Sequence, residues 1–169
     1  TGHLQLDSNY LKGVVPSEIG RLTRMTTSLH LYANNLNGTL PTEIGNMTAL
    51  ESSFRFDDNS LFGPLPTELG RLTALTTGLY ANSNQFSDQI PTQLGELSAM
   101  EEELWLDSNR LTSAIPTQIG ALTSMTSGLY LNANSLSQAI PTQLGLLVNM
   151  GEDLQVTSNL LSSTLPTEL

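Results

Sequence analysis

Side chains able to do covalent or acid–base chemistry are scarce in this sequence. Two histidines, His3 and His30, are the only imidazoles, and cysteine is absent. That leaves almost no proton shuttle and removes disulfides, thiol nucleophiles and thiolate metal sites together. His30, Arg55 and Asp57 are expected as neighbours on a sheet, yet no nucleophile or oxyanion-binding element accompanies them. Glu101-Glu102-Glu103 suits a solvated turn better than a calcium site, and Asp57-Asp58 lacks the D-x-D-x-D-G loop of a calcium ligand set. The expectation is a non-enzyme with no metal and no cofactor. Six basic residues against sixteen acidic ones give a net charge of −10, and Lys12 is the only lysine. Phosphate-backbone binding draws on clustered Lys and Arg, so nucleic acid is not an expected partner. The chemistry still open to the chain is non-covalent recognition, and its aromatic, amide and carboxylate side chains must be placed before that can be judged.

Their placement follows from an internal repeat. Prolines at 16, 41, 66, 91, 116, 141 and 166 recur at one constant interval without insertion, within VPSEIG, LPTEIG, LPTELG, IPTQLG, IPTQIG, IPTQLG and LPTEL. The chain holds six full periods and most of a seventh, beginning and ending in mid-repeat. Leu4, Leu29, Phe54, Leu79, Leu104, Leu129 and Leu154 share one column. Leu6, Leu31, Phe56, Ala81, Leu106, Leu131 and Val156 follow two positions later. Apolar positions two apart predict a short strand with one face buried. The spacing then lengthens to L-x-x-x-[VIL]-P-x-x-[IL]-G-x-L-x-x-[LM], which predicts tight turns or a helical turn on the opposite side of each coil. One such coil cannot bury its own core, so coils must stack into a solenoid over residues 1–169, with about seven repeats. Its core positions are exemplified by Leu29, Leu31, Leu36, Leu40, Ile44, Met47 and Leu50.

Two invariant columns have structural explanations. Asn9, Asn34, Asn59, Asn84, Asn109, Asn134 and Asn159 recur without exception. An amide has both donors and an acceptor, so a buried ladder bonding the backbone of the coils on either side is expected. Gly20, Gly45, Gly70, Gly95, Gly120 and Gly145 are expected at turns, as positions that tolerate positive φ.

The residues alternating with the buried leucines point outward on the sheet. One such column is Gln5, His30, Arg55, Tyr80, Trp105, Tyr130 and Gln155; the next is Asp7, Tyr32, Asp57, Asn82, Asp107, Asn132 and Thr157. Strands lie about 4.8 Å apart, so Tyr80, Trp105 and Tyr130 make a continuous row about 10 Å long. Aromatics beside carboxylates and amides suit a binding surface for a protein, peptide or glycan. Cross-strand aromatic pairing that only stabilises the sheet is the competing explanation. The candidate ligand-binding residues are His30, Tyr32, Arg55, Asp57, Tyr80, Asn82, Trp105, Asp107, Tyr130 and Asn132.

The stretches LTRMTTSLHLYANNLNGTLPTEIGN and LTSMTSGLYLNANSLSQAIPTQLGL resemble the plant-type leucine-rich repeat, L-x-x-L-x-x-L-x-L-x-x-N-x-L-x-G-x-I-P-x-x-L-G-x. The likeness runs through the whole chain. It implies an α/β solenoid, a right-handed superhelix of 25-residue coils with a parallel β-sheet on its concave face. The family's members are chiefly ectodomains of receptor kinases and secreted inhibitors of cell-wall-degrading enzymes such as polygalacturonase. An extracellular or cell-surface recognition module is therefore implied. Three features depart from the family pattern. One residue is added before each strand (Ser28, Ser53, Gly78, Glu103, Gly128, Asp153). The motif glycine is kept as Gly13, Gly38 and Gly63 and then becomes Asp88, Ser113, Gln138 and Ser163. Cysteine-rich caps are missing.

Further expectations concern the surface. Asn37-Gly38-Thr39 and Asn46-Met47-Thr48 are N-glycosylation acceptors in a secreted protein, at Asn37 and Asn46. The column Ser17, Thr42, Thr67, Thr92, Thr117, Thr142 and Thr167 has the regularity of an ice-binding solenoid. Interleaved Glu and Gln favour a turn role instead, with each hydroxyl bonding local backbone. No apolar run approaches the roughly 18 residues of a membrane span. The mid-repeat ends suggest a fragment of a longer array. Without polar caps, end-to-end self-association as a fibre or surface repeat is the main alternative function.

Overall fold

The computed structural model describes residues 2–169. Each period forms one coil with a strand on the concave side and a second strand, and the first six coils add a 3-10 turn. The concave strands are Leu4–Gln5, Leu29–His30, Ser53–Arg55, Gly78–Tyr80, Glu103–Trp105, Leu129–Tyr130 and Leu154–Gln155, joined in that order in one seven-stranded parallel sheet. Register shifts by one period per strand, as in Leu79 opposite Leu104 and Tyr80 opposite Trp105. Side chains of one column therefore stand beside one another along the solenoid.

The core is continuous from coil to coil. Leu29, Ile44, Met47 and Leu50 are fully buried, and Leu31, Leu36 and Leu40 are at most 7% exposed. Phe54 and Phe56 replace the two strand leucines, and Phe86 meets Phe56 edge-on at 5.8 Å. All three rings are completely buried.

Proline sets the far side of the coil. From Pro16 to Pro141 each of the six repeated prolines, with φ between −71° and −61°, precedes a five-residue 3-10 turn such as Thr42–Asn46 or Thr92–Glu96. Its carbonyl accepts the first turn bond, as in Ile44 N–H to Pro41 O at 3.2 Å. The helical content opposite the sheet is thus 3-10, the geometry favoured where only one turn fits.

The glycine column lies in this turn as expected but does not use its tolerance for positive φ; positive-φ glycines among the described residues are Gly2, Gly13, Gly38 and Gly63. Close packing between coils is the reason for glycine here. A Cβ on Gly45 would lie 2.6 Å from both the carbonyl oxygen and Cβ of Glu68 in the next coil, and equivalent contacts recur down the column.

The second strands were not evident in the sequence pattern. Lys12–Val14, Asn35–Gly38, Ser60–Pro64 and Gln85–Ser87 form a four-stranded parallel sheet; Thr112–Ser113, Ser135–Gln138 and Leu160–Leu161 form a three-stranded one. The break between them falls at Asp88, where the run of motif glycines ends. Gly13, Gly38 and Gly63 have φ of 91°, 81° and 80°, and Asp88, Ser113, Gln138 and Ser163 keep the left-handed conformation at 64°, 68°, 71° and 92°. All seven coils thus hold the left-handed conformation here, and four of them do so with a residue whose Cβ disfavours it.

Candidate functional site: the concave sheet

The asparagine column fixes the rim of the concave sheet. In the central coil, Asn84 Nδ2 donates to Phe56 O at 3.0 Å in the preceding coil and to Asn82 O at 3.2 Å in its own. Its Oδ1 accepts from Leu61 N–H at 2.9 Å, again in the preceding coil. Asn34, Asn59, Asn109, Asn134 and Asn159 repeat the pattern, while among the described residues Asn9, in the first coil, bonds only Leu6 O and Asp7 O. Each amide thus ties its coil to the one before it, not to both neighbours as expected. The residue before each Asn turns left-handed, from Ser8 at φ 54° to Ser158 at 54°, which aims the amide inward.

In the first half of the sheet, charged and aromatic groups consume one another. Arg55 Nε donates to Asp57 Oδ1 at 3.1 Å and its terminal nitrogen to Oδ2 at 2.8 Å, a bidentate ion pair with the Asp57 side chain 3% exposed. The same guanidinium lies over the rings of Tyr32 at 4.0 Å and Tyr80 at 4.8 Å, so Arg55 is clamped on both faces. Hydrogen bonding to Asp57 and its charge push the Arg55 pKa up, against the opposing effect of burial. His30 shares a hydrogen bond with Ser53 Oγ at 2.8 Å. Burial, then the charge of Arg55, lower the His30 pKa below its usual 6.5.

The second half of the sheet is aromatic. Ring centroids of Tyr80 and Trp105 are 5.9 Å apart and those of Trp105 and Tyr130 are 4.7 Å apart. The extra position in each period has a local use here. Gly78 and Gly128 lie beneath the rings of Tyr80 and Tyr130, and a Cβ on Gly78 would come within 3.0 Å of its tyrosine ring. Glycine lets those rings lie flat along their strands. The Tyr80 hydroxyl is pushed well above its usual range, chiefly by burial and then by its hydrogen bond to Glu103.

Unpartnered polar atoms gather around this row. Trp105 Nε1 is buried without a hydrogen-bond partner, and so are Asn82 Oδ1, Asp107 Oδ1 and Asn132 Oδ1. Asn82, Asp107 and Asn132 occupy one column on three successive coils, and Asn82 is only 8% exposed. Burial pushes the Asp107 carboxyl above the ordinary carboxylate range. Native proteins leave few buried polar groups unpaired, so four in one patch are a chemical signature. Sequence columns locate these residues, but periodicity carries no information on which of their atoms lack partners.

The remaining candidates lie elsewhere. Asn37, in a second strand, and Asn46, closing a 3-10 turn, are both exposed. The threonines after proline do not bond local backbone as expected; Thr42 Oγ1 meets Glu43 Oε2 at 3.4 Å and Thr92 Oγ1 meets Gln93 Oε1 at 3.3 Å. Among the described residues no helix is long and apolar enough to cross a membrane.

This architecture has known counterparts. A family model described as Leucine Rich Repeat matches residues 26–47. A crystal structure of a TDR receptor is 29% identical with a TM-score of 0.88, covering 98% of this chain and 28% of the receptor chain. The LRR ectodomain of the Arabidopsis receptor kinase HAESA, in complex with an N-terminal extended IDA peptide hormone ligand, is 32% identical with a TM-score of 0.85 over 96% of this chain and 27% of its own. The chain is a leucine-rich-repeat protein. Its repeat is of the plant type, and its fold is the α/β solenoid of that class with the parallel sheet on the concave face. The BIR2 ectodomain from Arabidopsis thaliana, 25% identical with a TM-score of 0.66, is similar over 82% of this chain and 71% of its own. This leucine-rich-repeat chain spans 28% and 27% of the length of the first two structures. No curated protein matches it by sequence.

Proposed function

We propose that this leucine-rich-repeat chain is a non-catalytic recognition module that binds a peptide, or a segment of a protein, on its concave face. The observation carrying this reading is the Tyr80–Trp105–Tyr130 row together with the unpartnered Trp105 Nε1 and the three unpartnered Oδ1 atoms beside it. Aromatic rings supply rigid contact area at low entropic cost, and unpaired donors and acceptors fix the orientation of whatever covers them. The association of the HAESA ectodomain with a peptide hormone ligand supports a peptide over a glycan.

An extracellular or cell-surface location belongs to the same proposal, with Asn37 and Asn46 as glycan acceptors on exposed positions away from the concave sheet. So does the view that these coils are one segment of a longer array. A second reading, end-to-end self-association, draws on apolar side chains exposed on the outer coils, among them Val14 at 65%, Leu160 at 67% and Leu165 at 78%. The deciding experiment is an unbiased peptide-display selection against the chain, followed by titration of recovered peptides against the parent, Trp105→Ala and Thr117→Ala. Binding on the concave face requires a loss of roughly 1–3 kcal/mol for Trp105→Ala and almost none for Thr117→Ala. Equal affinity for all three proteins would refute it and favour self-association, which light scattering would then detect.

A further inference from the structure

Asp7, Asp57 and Asp107 occupy the same position of the repeat on alternate coils, each two periods from the next. All three project from the concave sheet, and the chain itself supplies partners for two. Asp7 accepts a hydrogen bond from the Tyr32 hydroxyl. Asp57 is held by both nitrogens of the Arg55 fork, and that guanidinium is stacked on Tyr80 in the next coil. Moving the Arg55 site forward by two coils places Asp107 where Asp57 stood and Tyr130 where Tyr80 stood. It also puts Trp105 in the position of the arginine.

Among the described residues no cation is paired with Asp107; the ion pair of this sheet is that of Arg55 with Asp57. The Asp107 carboxylate takes only local bonds, from the hydroxyl of the exposed Ser108 to Oδ2 at 3.0 Å and from its own backbone N–H, and its Oδ1 is buried without a partner among the described residues. On the adjoining coil the buried Asn82 also leaves its Oδ1 unpartnered. The surrounding charge has the same sign: Glu103 and Glu152 both act on Tyr130. From Leu111 to Leu169 the sequence holds no lysine or arginine at all.

Resting on the concave-face reading above, we infer that Asp107 and the Trp105–Tyr130 rings form a subsite for a guanidinium group, an arginine side chain of the bound peptide. The carboxylate receives two parallel N–H bonds, as Asp57 does from Arg55, and the rings take the cation's face. Asn82 Oδ1 is placed to accept a remaining N–H. A guanidinium suits the site better than an ammonium because the chain's own example uses a planar fork stacked on tyrosine.

The probes are a blocked tripeptide, acetyl-Gly-Arg-Gly-amide, and its citrulline counterpart, which keeps the shape and removes the charge. They are titrated by Trp105 fluorescence against the parent and Asp107→Asn, an isosteric change that removes charge from a site with no internal ion pair. Far-ultraviolet circular dichroism and the denaturation midpoint verify that the variant is folded. We expect saturable binding of the arginine peptide, at least tenfold weaker binding of citrulline, and at least a tenfold loss for Asp107→Asn. Equal affinity for the two tripeptides, or for parent and variant, overturns the guanidinium subsite. If display-selected peptides still depend on Trp105 in that case, the concave-face reading stands without it. If they depend on neither residue, both fail.

Discussion

Replacing Asn84 by Ala perturbs one rung of the ladder that holds the coils in register, and its cost can be worked from the bonds it breaks. Three carbonyls lose a donor, but each keeps another: Phe56 O retains Asn59 Nδ2 at 3.2 Å, Asn82 O retains Asp58 N–H at 3.1 Å, and Ala81 O retains Asn109 Nδ2 at 3.0 Å. Leu61 N–H is different. Its acceptor is Asn84 Oδ1, and Leu61 is completely buried. Stranding one buried donor costs about 1–3 kcal/mol, and weakening shared carbonyl bonds adds on the order of 1 kcal/mol. The expected loss is therefore about 2–4 kcal/mol. Asn9 provides the control: it is exposed and its Oδ1 accepts no bond from the described residues, so Asn9→Ala should cost less than about 1 kcal/mol. Urea titrations followed by circular dichroism, with slopes compared for a change in cooperativity, measure both. Equal losses at the two positions would refute the reasoning, because the amides would then be acting through something other than inter-coil bonds.

Three further outcomes are expected. Gln138 sits at φ 71°, so Gln138→Gly should raise Tm, by strain relief of about 1–2 kcal/mol less the roughly 0.4–1 kcal/mol of added chain entropy; a lowered Tm would contradict the strain assignment. Gly95→Ala places a Cβ against the carbonyl of Gln118 in the next coil, which should destabilise by about 1–3 kcal/mol in calorimetry; a neutral effect would show that the coils separate easily. For His30, whose folded pKa lies below 6.5, the unfolded chain binds the proton first, so its contribution to stability is lost as pH falls through 6.5 toward the folded pKa. Removing the Arg55 charge by Arg55→Gln should move the His30 titration upward in NMR, and an unmoved midpoint would rule out charge coupling between them.

Much of this molecule was legible because a solenoid converts sequence period directly into spatial neighbourhood. Tyr80, Trp105 and Tyr130 are one period apart in turn, and the parallel register makes them touch. Other features depend on distances that periodicity does not encode. Gly45 and its equivalents mark a close approach between coils, not a left-handed turn, since either requirement selects glycine. The second strands are short and alternate with turns, so their hydrophobic signal reduces to single residues such as Leu36 and Leu61. The candidate site divides in the same way. Its columns were visible, whereas the clamp of Tyr32 and Tyr80 on Arg55, and the contrast between paired Asp57 and unpaired Asp107, depend on side-chain geometry.

The central claim is that the concave aromatic row is a recognition surface, and Trp105 offers a single-atom readout of it. As the only tryptophan, it gives one indole N–H resonance in a 15N–1H spectrum, and that N–H has no hydrogen-bond partner among the described residues. Titrating a display-selected peptide should shift this resonance in a saturable way, with the same dissociation constant that calorimetry gives for binding. A peptide that saturates the protein while the Trp105 indole resonance stays in place would contradict the account.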